Sequence, residues 1–136
     1  VGMALAAKKD GRPDRIFTIM GDGEMTEGSI WEASASAAHY QLDNLVAIID
    51  RNTLQITGRT ENVLSMEPLG AKLTAFGYAV RQVDGNSVEE LINLLEKLPF
   101  DLDSSNLPNR RIHFQLGKAQ QDLDNADRNA NRNDRV

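Results

Sequence analysis

Cysteine is absent from this 136-residue chain, which excludes a disulfide framework and any thiolate metal site. No apolar run approaches the roughly 20 residues needed to span a bilayer, so no membrane helix is expected. Val1–Lys9 lacks the basic start, long apolar centre and cleavage pattern of a signal peptide. A surplus of positive charge is also missing. The formal net charge is -5, and Lys and Arg are scattered among acids up to Asn109, so no surface stands ready to neutralise nucleic-acid phosphates. These absences lead us to expect a soluble, cytoplasmic protein with no nucleic-acid or membrane partner.

What remains is ordinary for one compact domain: 40% hydrophobic and 26% charged residues in a chain long enough to bury a real core. The sequence opens at Val1 without an initiator methionine, inside what reads as the back half of a helix, so a fragment of a longer protein is expected.

Periodicity divides the chain. A helical stretch, Val1–Lys9, ends at the Gly11 and Pro13 turn. The branched, apolar runs Arg15–Met20 and Asn44–Asp50 predict buried strands. Between them, Thr26–Gln41 predicts a helix with Thr26 as N-cap, Glu27 in its first turn, Trp31 as a packing anchor and a small-residue face at Ala33–Ala38. Met66–Gly77 predicts a helix, Tyr78–Asp84 a strand, and Ser87–Leu98 a helix with a capping box from Ser87 and Glu90. Alternating helices and strands imply an α/β fold: a doubly wound parallel sheet with helices on both faces. Residues 1–100 are expected to form this domain, incomplete. Residues 101–136, rich in Asp, Asn, Arg and Gln, are expected to be an unmatched, disordered tail.

In an open parallel sheet, ligands sit beyond the carboxyl ends of the strands. Gly21-Asp22-Gly23-Glu24 follows the first strand and Asn52 follows the second. Alone, a Gly-Asp-Gly after a strand is most often a tight turn. Thirty positions and one helix separate Asp22 from Asn52, so a crossover can bring both oxygens to one sheet edge. Two side-chain oxygens, the Leu54 carbonyl, a diphosphate and a water would complete the octahedron that Mg²⁺ prefers. The N–H groups opening the helix near Glu27 would face the diphosphate.

A Gly-Asp-Gly followed at this interval by Asn is the thiamine-diphosphate signature, and GDGEMTEGSIWEASASAAHYQLDNLVAIIDRNTLQITG resembles the transketolase family. The likeness runs from Val1 to about Leu98 and is greatest to the amino-terminal chain of bacterial split transketolases. It implies that Asp22, Asn52 and Leu54 ligate Mg²⁺ (or Ca²⁺), that Gly21, Gly23 and Glu24 border the diphosphate, and that Leu54 and Ile56 line the cofactor. Glu27 and Glu32 match acids near a subunit interface of a dimeric assembly. The implied activity is transfer of a two-carbon ketol unit between sugar phosphates, with a pyrimidine-binding subunit or domain as partner. The glutamate and histidines that the family uses for catalysis have no matching positions, so no catalytic residue is assigned and the isolated chain is expected to be inactive.

His39, late in a helix, is expected to be structural, and His113 receives no role. Thr57 departs from the family, which usually carries an acid before Gly58. After Leu98 the family continues with a buried strand and a Lys-Gly-Lys-Gly loop that are absent here. Codon degeneracy permits Pro108–Lys118, read one base later, to encode Pro-Thr-Ala-Ala-Phe-Ile-Ser-Asn-x-Val-Lys, which resembles that strand. A frameshift would leave the sheet one strand short, with an exposed apolar edge. The alternatives are a deoxyxylulose-phosphate synthase, a 2-oxo-acid dehydrogenase subunit, or a degenerate, non-catalytic fragment.

Overall fold

Branched and apolar residues stiffen the backbone into extended form wherever the sequence concentrates them, and three such runs become the parallel strands β1 (Ile16–Gly21), β2 (Leu45–Arg51) and β5 (Tyr78–Asp84). The computed structural model describes residues 1–98 and the strand at 111–117. Helix α1 (Gly2–Lys9) precedes β1, and a 3₁₀ turn (Asp22–Thr26) and helix α2 (Gly28–His39) join β1 to β2. A two-residue hairpin, β3 (Leu54–Gln55) and β4 (Gly58–Arg59), follows, then α3 (Thr60–Leu64), α4 (Leu69–Ala75) and, after β5, α5 (Val88–Leu95).

The tail departs from expectation. Arg111–Gly117 forms strand β6, which lies inside the four-stranded sheet in the order β1-β2-β6-β5. It runs parallel to both neighbours, from Val46↔Ile112 to Arg51↔Gly117 on one side and from Tyr78↔Arg111 to Asp84↔Gly117 on the other. Ile112, Phe114 and Leu116 alternate with His113 and Gln115, a period-two pattern suited to a strand that the polar composition around it conceals. The sheet is therefore not short of the strand expected to be lost. The rest of the expected tail lies outside the described residues.

Alternation along β2 assigns the two faces. Ala47 and Ile49 join Met25, Leu69, Leu73 and Tyr78 in a core sealed by Trp31 and Phe76, which places α2 and α4 on one face. Val46 and Ile48 point the other way, to Leu94 and Leu98 at α5. Helices thus cover both faces, as expected. The small-residue face of α2 meets α1, where Ala37 and Ala4 are fully buried together with Leu42. Trp31 is the anchor expected, with Nε1 donating to the Met25 carbonyl at 2.8 Å and its ring centroid 5.7 Å from that of Phe76.

Helix starts differ from the sequence reading for local reasons. Thr26 does not cap α2: it closes the 3₁₀ turn, its hydroxyl donating to the Gly23 carbonyl at 2.8 Å, and Glu27 takes the N-cap position. Helix α4 starts at Leu69 rather than Met66, because proline disfavours helical backbone in the residue before it, and Pro68 occupies the N-cap. At α5, Ser87 Oγ accepts the Glu90 N–H at 3.3 Å, half of the expected box, while the Glu90 carboxylate turns to the Asp84 N–H at 3.2 Å.

Candidate functional site

Strands β1 and β2 are neighbours in register from Ile16↔Leu45 to Gly21↔Asp50, so the residues following each emerge side by side at the carboxyl edge. Asp22 is 6% exposed. Its Oδ2 accepts the Thr53 N–H at 3.0 Å and the Thr60 hydroxyl at 3.3 Å, which draws the turn after β2 onto the end of β1. Its other oxygen, Oδ1, is buried with no hydrogen-bond partner. Burial raises the Asp22 carboxyl above its ordinary range, opposed by the Thr53 N–H, the Thr60 hydroxyl, the nearby Gly23 N–H, which is too poorly placed to make a hydrogen bond to it, and the charge of Arg51. Arg51 is held beside the site by Glu67, 2.5 Å away.

Asn52 sits exposed in that turn. Its Oδ1 accepts the Leu54 N–H at 2.9 Å, an Asx-type bond that leaves one lone pair of the amide oxygen unused. Thr53, next along, is 8% exposed and adopts φ +63°. That left-handed conformation is rare for a β-branched residue. It is held by the bond from its N–H to Asp22 and by its carbonyl, which accepts the Thr60 N–H at 3.0 Å. Strained backbone of this kind concentrates at ligand sites, where neighbouring structure overrides the local cost.

Beside these residues lies an open cleft of about 600 Å³ lined by Gly21, Gly23, Glu24, Glu27, Leu54 and Ile56, all singled out in the sequence, together with Thr26, Gln55, Thr57 and Val63. Asp22 and Asn52 are not among the lining residues. The Glu24 carboxylate accepts the Gly21 N–H at 2.6 Å, so that donor is already engaged. Gly23 answers to packing: a Cβ there would sit 2.9 Å from the Gln55 Cβ. Glu32, one turn into α2, is exposed, as is Glu27. The β3–β4 hairpin leaves Leu54 61% and Ile56 105% exposed, an apolar rim on the cleft.

The donor set suits a hard cation. A carboxylate oxygen, buried and unpartnered, belongs to the side chain that Thr53 binds, and the residue before Thr53 carries a neutral amide oxygen, with no sulfur and no imidazole; Mg²⁺ and Ca²⁺ take all-oxygen shells. Among the described residues there is no cluster of three His, Asp or Glu side chains able to hold a metal unaided, so the rest of any coordination shell falls to backbone, solvent or ligand.

Residues 5–107 match the family model described as "Transketolase, thiamine diphosphate binding domain". The chain belongs to the transketolase family. It is 48% identical over 100 residues to an apulose-4-phosphate transketolase subunit of Phocaeicola vulgatus, covering 74% of this chain and 36% of that protein. It is 45% identical over 97 residues to a 6-deoxy-6-sulfo-D-fructose transketolase subunit of a Clostridium species, covering 71% of this chain and 35% of the relative. Among solved structures it resembles transketolase from Campylobacter jejuni, with a TM-score of 0.73 at 26% identity over 85% of this chain and 18% of that one. The chain therefore spans about a third of the length of these curated relatives. The match ends at residue 107, beyond the domain limit expected at 100.

Sequence reasoning missed Thr53 and Thr60, the residues that hold Asp22, and the hairpin that carries Gln55. A two-residue connection flanked by short extended segments was the available signal for the hairpin. Nothing local in the sequence marks Thr60 as a partner of Asp22.

Proposed function

We propose that this chain grips the diphosphate of thiamine diphosphate through a divalent cation, Mg²⁺ or Ca²⁺, held by Asp22, Asn52 and the Leu54 carbonyl. The observation that carries this is the buried, unpartnered Asp22 Oδ1 beside the Asn52 turn, at the ends of two adjacent parallel strands. A carboxylate oxygen kept from water without a donor is costly, and a cation offsets that cost. Gly21, Gly23 and Glu24 border the diphosphate, and Leu54 and Ile56 form the apolar wall against the remainder of the cofactor.

When bound, thiamine diphosphate supplies the nucleophilic carbon that accepts the two-carbon unit. This chain anchors and orients that group, and the exposed rim at Leu54 and Ile56 excludes water once covered. Proton handling and sugar recognition fall to a partner polypeptide bearing a pyrimidine-binding domain, in a dimeric cytoplasmic assembly with Glu27 and Glu32 near the subunit contact. Together they transfer a ketol unit between sugar phosphates; alone the chain is inactive. The name of one relative, which acts on a sugar phosphate, supports this substrate class, while the other acts on a sulfosugar.

Calorimetry with thiamine diphosphate, with and without Mg²⁺, tests the reading. Saturable, Mg²⁺-dependent heat supports it, and the absence of heat and of any thermal shift at millimolar ligand counts against it.

A further inference from the structure

Two buried polar atoms flank Gly23 without partners. One is the Asp22 Oδ1 acceptor; the other is a donor, Nε2 of Gln55. Gln55 lies against the 3₁₀ turn, its Oε1 3.3 Å from where a Cβ at Gly23 would stand, and its side chain lines the cleft. An amide N–H shut away from acceptors costs free energy until it finds one.

The rest of the cleft wall brings an anion no positive side chain. Its charged side chains are Glu24 and Glu27, and no Lys or Arg is among the described lining residues. The Thr26 hydroxyl already donates to the Gly23 carbonyl and the Gly21 N–H is taken by Glu24, which leaves the Thr57 hydroxyl and the Gln55 amide as the side-chain donors on the wall.

We propose that Gln55 is a diphosphate-binding residue, whose carboxamide donates to an anionic phosphate oxygen while Asp22 holds the cation on the same ligand. This rests on the reading of the site given above. A metal diphosphate presents both signs at once, a cation for the orphan acceptor and an anionic oxygen for the orphan donor. Rotation about the terminal side-chain torsion, which is broad for an amide, carries Nε2 to the cleft face. A neutral donor suits a cleft already bearing two carboxylates, because it neither pairs with them nor blocks the cation.

The test is titration of the 136-residue chain with inorganic diphosphate in the presence of Mg²⁺, and with Mg²⁺ alone, for the wild type, Gln55→Met and Gln55→Glu. Gln55→Met keeps length without a donor and is expected to weaken diphosphate binding about tenfold, the loss of roughly one hydrogen bond to a charged group. Gln55→Glu places a like charge against the ligand and is expected to weaken it further. In Gln55→Met, binding of Mg²⁺ alone should hold and the melting temperature should not fall, which separates ligand contact from a packing role. Wild-type affinity for diphosphate in a folded variant of either kind overturns the role of Gln55 while leaving the cation site standing. A wild-type chain that binds no diphosphate with Mg²⁺ overturns the site itself and this inference with it.

Discussion

The Thr53 N–H donates to Asp22 Oδ2 across 3.0 Å, and this one bond ties the end of β1 to the end of β2. The Thr60 hydroxyl reaches the same oxygen. Together they fix one carboxylate oxygen and leave the other without a partner.

Removing the second donor should loosen that arrangement. Thr60→Val keeps the shape of a buried side chain and deletes the bond, with an expected loss of about 1–2 kcal/mol in urea unfolding. Mg²⁺ affinity should fall as well, because the carboxylate becomes harder to ionise. Unchanged stability would show that the Thr60 contact carries no weight.

The Asp22 carboxyl, raised by burial, sets a pH dependence with a definite sign. A group whose pKa is raised on folding favours the folded state most below its unfolded pKa, and that contribution is lost as pH rises through the folded value. Without metal, the melting temperature of the wild type minus that of Asp22→Asn should therefore decline with rising pH, starting near the ordinary carboxylate range. Mg²⁺ prefers the ionised form, so adding it should reverse the slope, and its affinity should begin to fall at a higher pH than for an ordinary carboxylate. Parallel melting profiles for the two proteins would contradict this.

Gly23→Ala sets a methyl 2.9 Å from the Gln55 Cβ. The expected cost is about 1–3 kcal/mol, the range for overpacking, read by thermal or urea unfolding. Gln55→Ala retains the Cβ and should not rescue it; full rescue by that change would show that the amide, not the Cβ, sets the limit.

Strand β1 forms one edge of the sheet and presents Phe17 at 49% and Ile19 at 73% exposure, beside an apolar cavity of about 520 Å³. Edges of this kind pair with other chains unless charge guards them. The isolated chain should self-associate in sedimentation velocity, and Ile19→Lys should shift it toward monomer. A wild type that stays monomeric at high concentration would sink the prediction.

The strands were legible because they are continuous branched runs, and β5 falls where its residues place it. The placement of Asp22 and Asn52 at the carboxyl ends of neighbouring strands was legible because each directly follows such a run. Thr60, by contrast, lies 38 positions from the carboxylate that it serves, and no local pattern records a contact made only after the sheet assembles. The start of α2 was misplaced for a related reason: Thr26 has the chemistry of a helix cap, but its hydroxyl finds the Gly23 carbonyl instead. Strand β6 was hidden because three alternating apolar residues are a weak signal in a polar surround.

Whether Asp22 and Asn52 jointly hold a divalent cation bridging to a diphosphate is decided by diffraction from crystals grown with thiamine diphosphate and Mn²⁺ in place of Mg²⁺. The expected result is an anomalous peak within coordination distance of Asp22 Oδ1 and the Asn52 side-chain oxygen, with diphosphate density against it. A peak elsewhere, or cofactor density with no metal between these two residues, would contradict it.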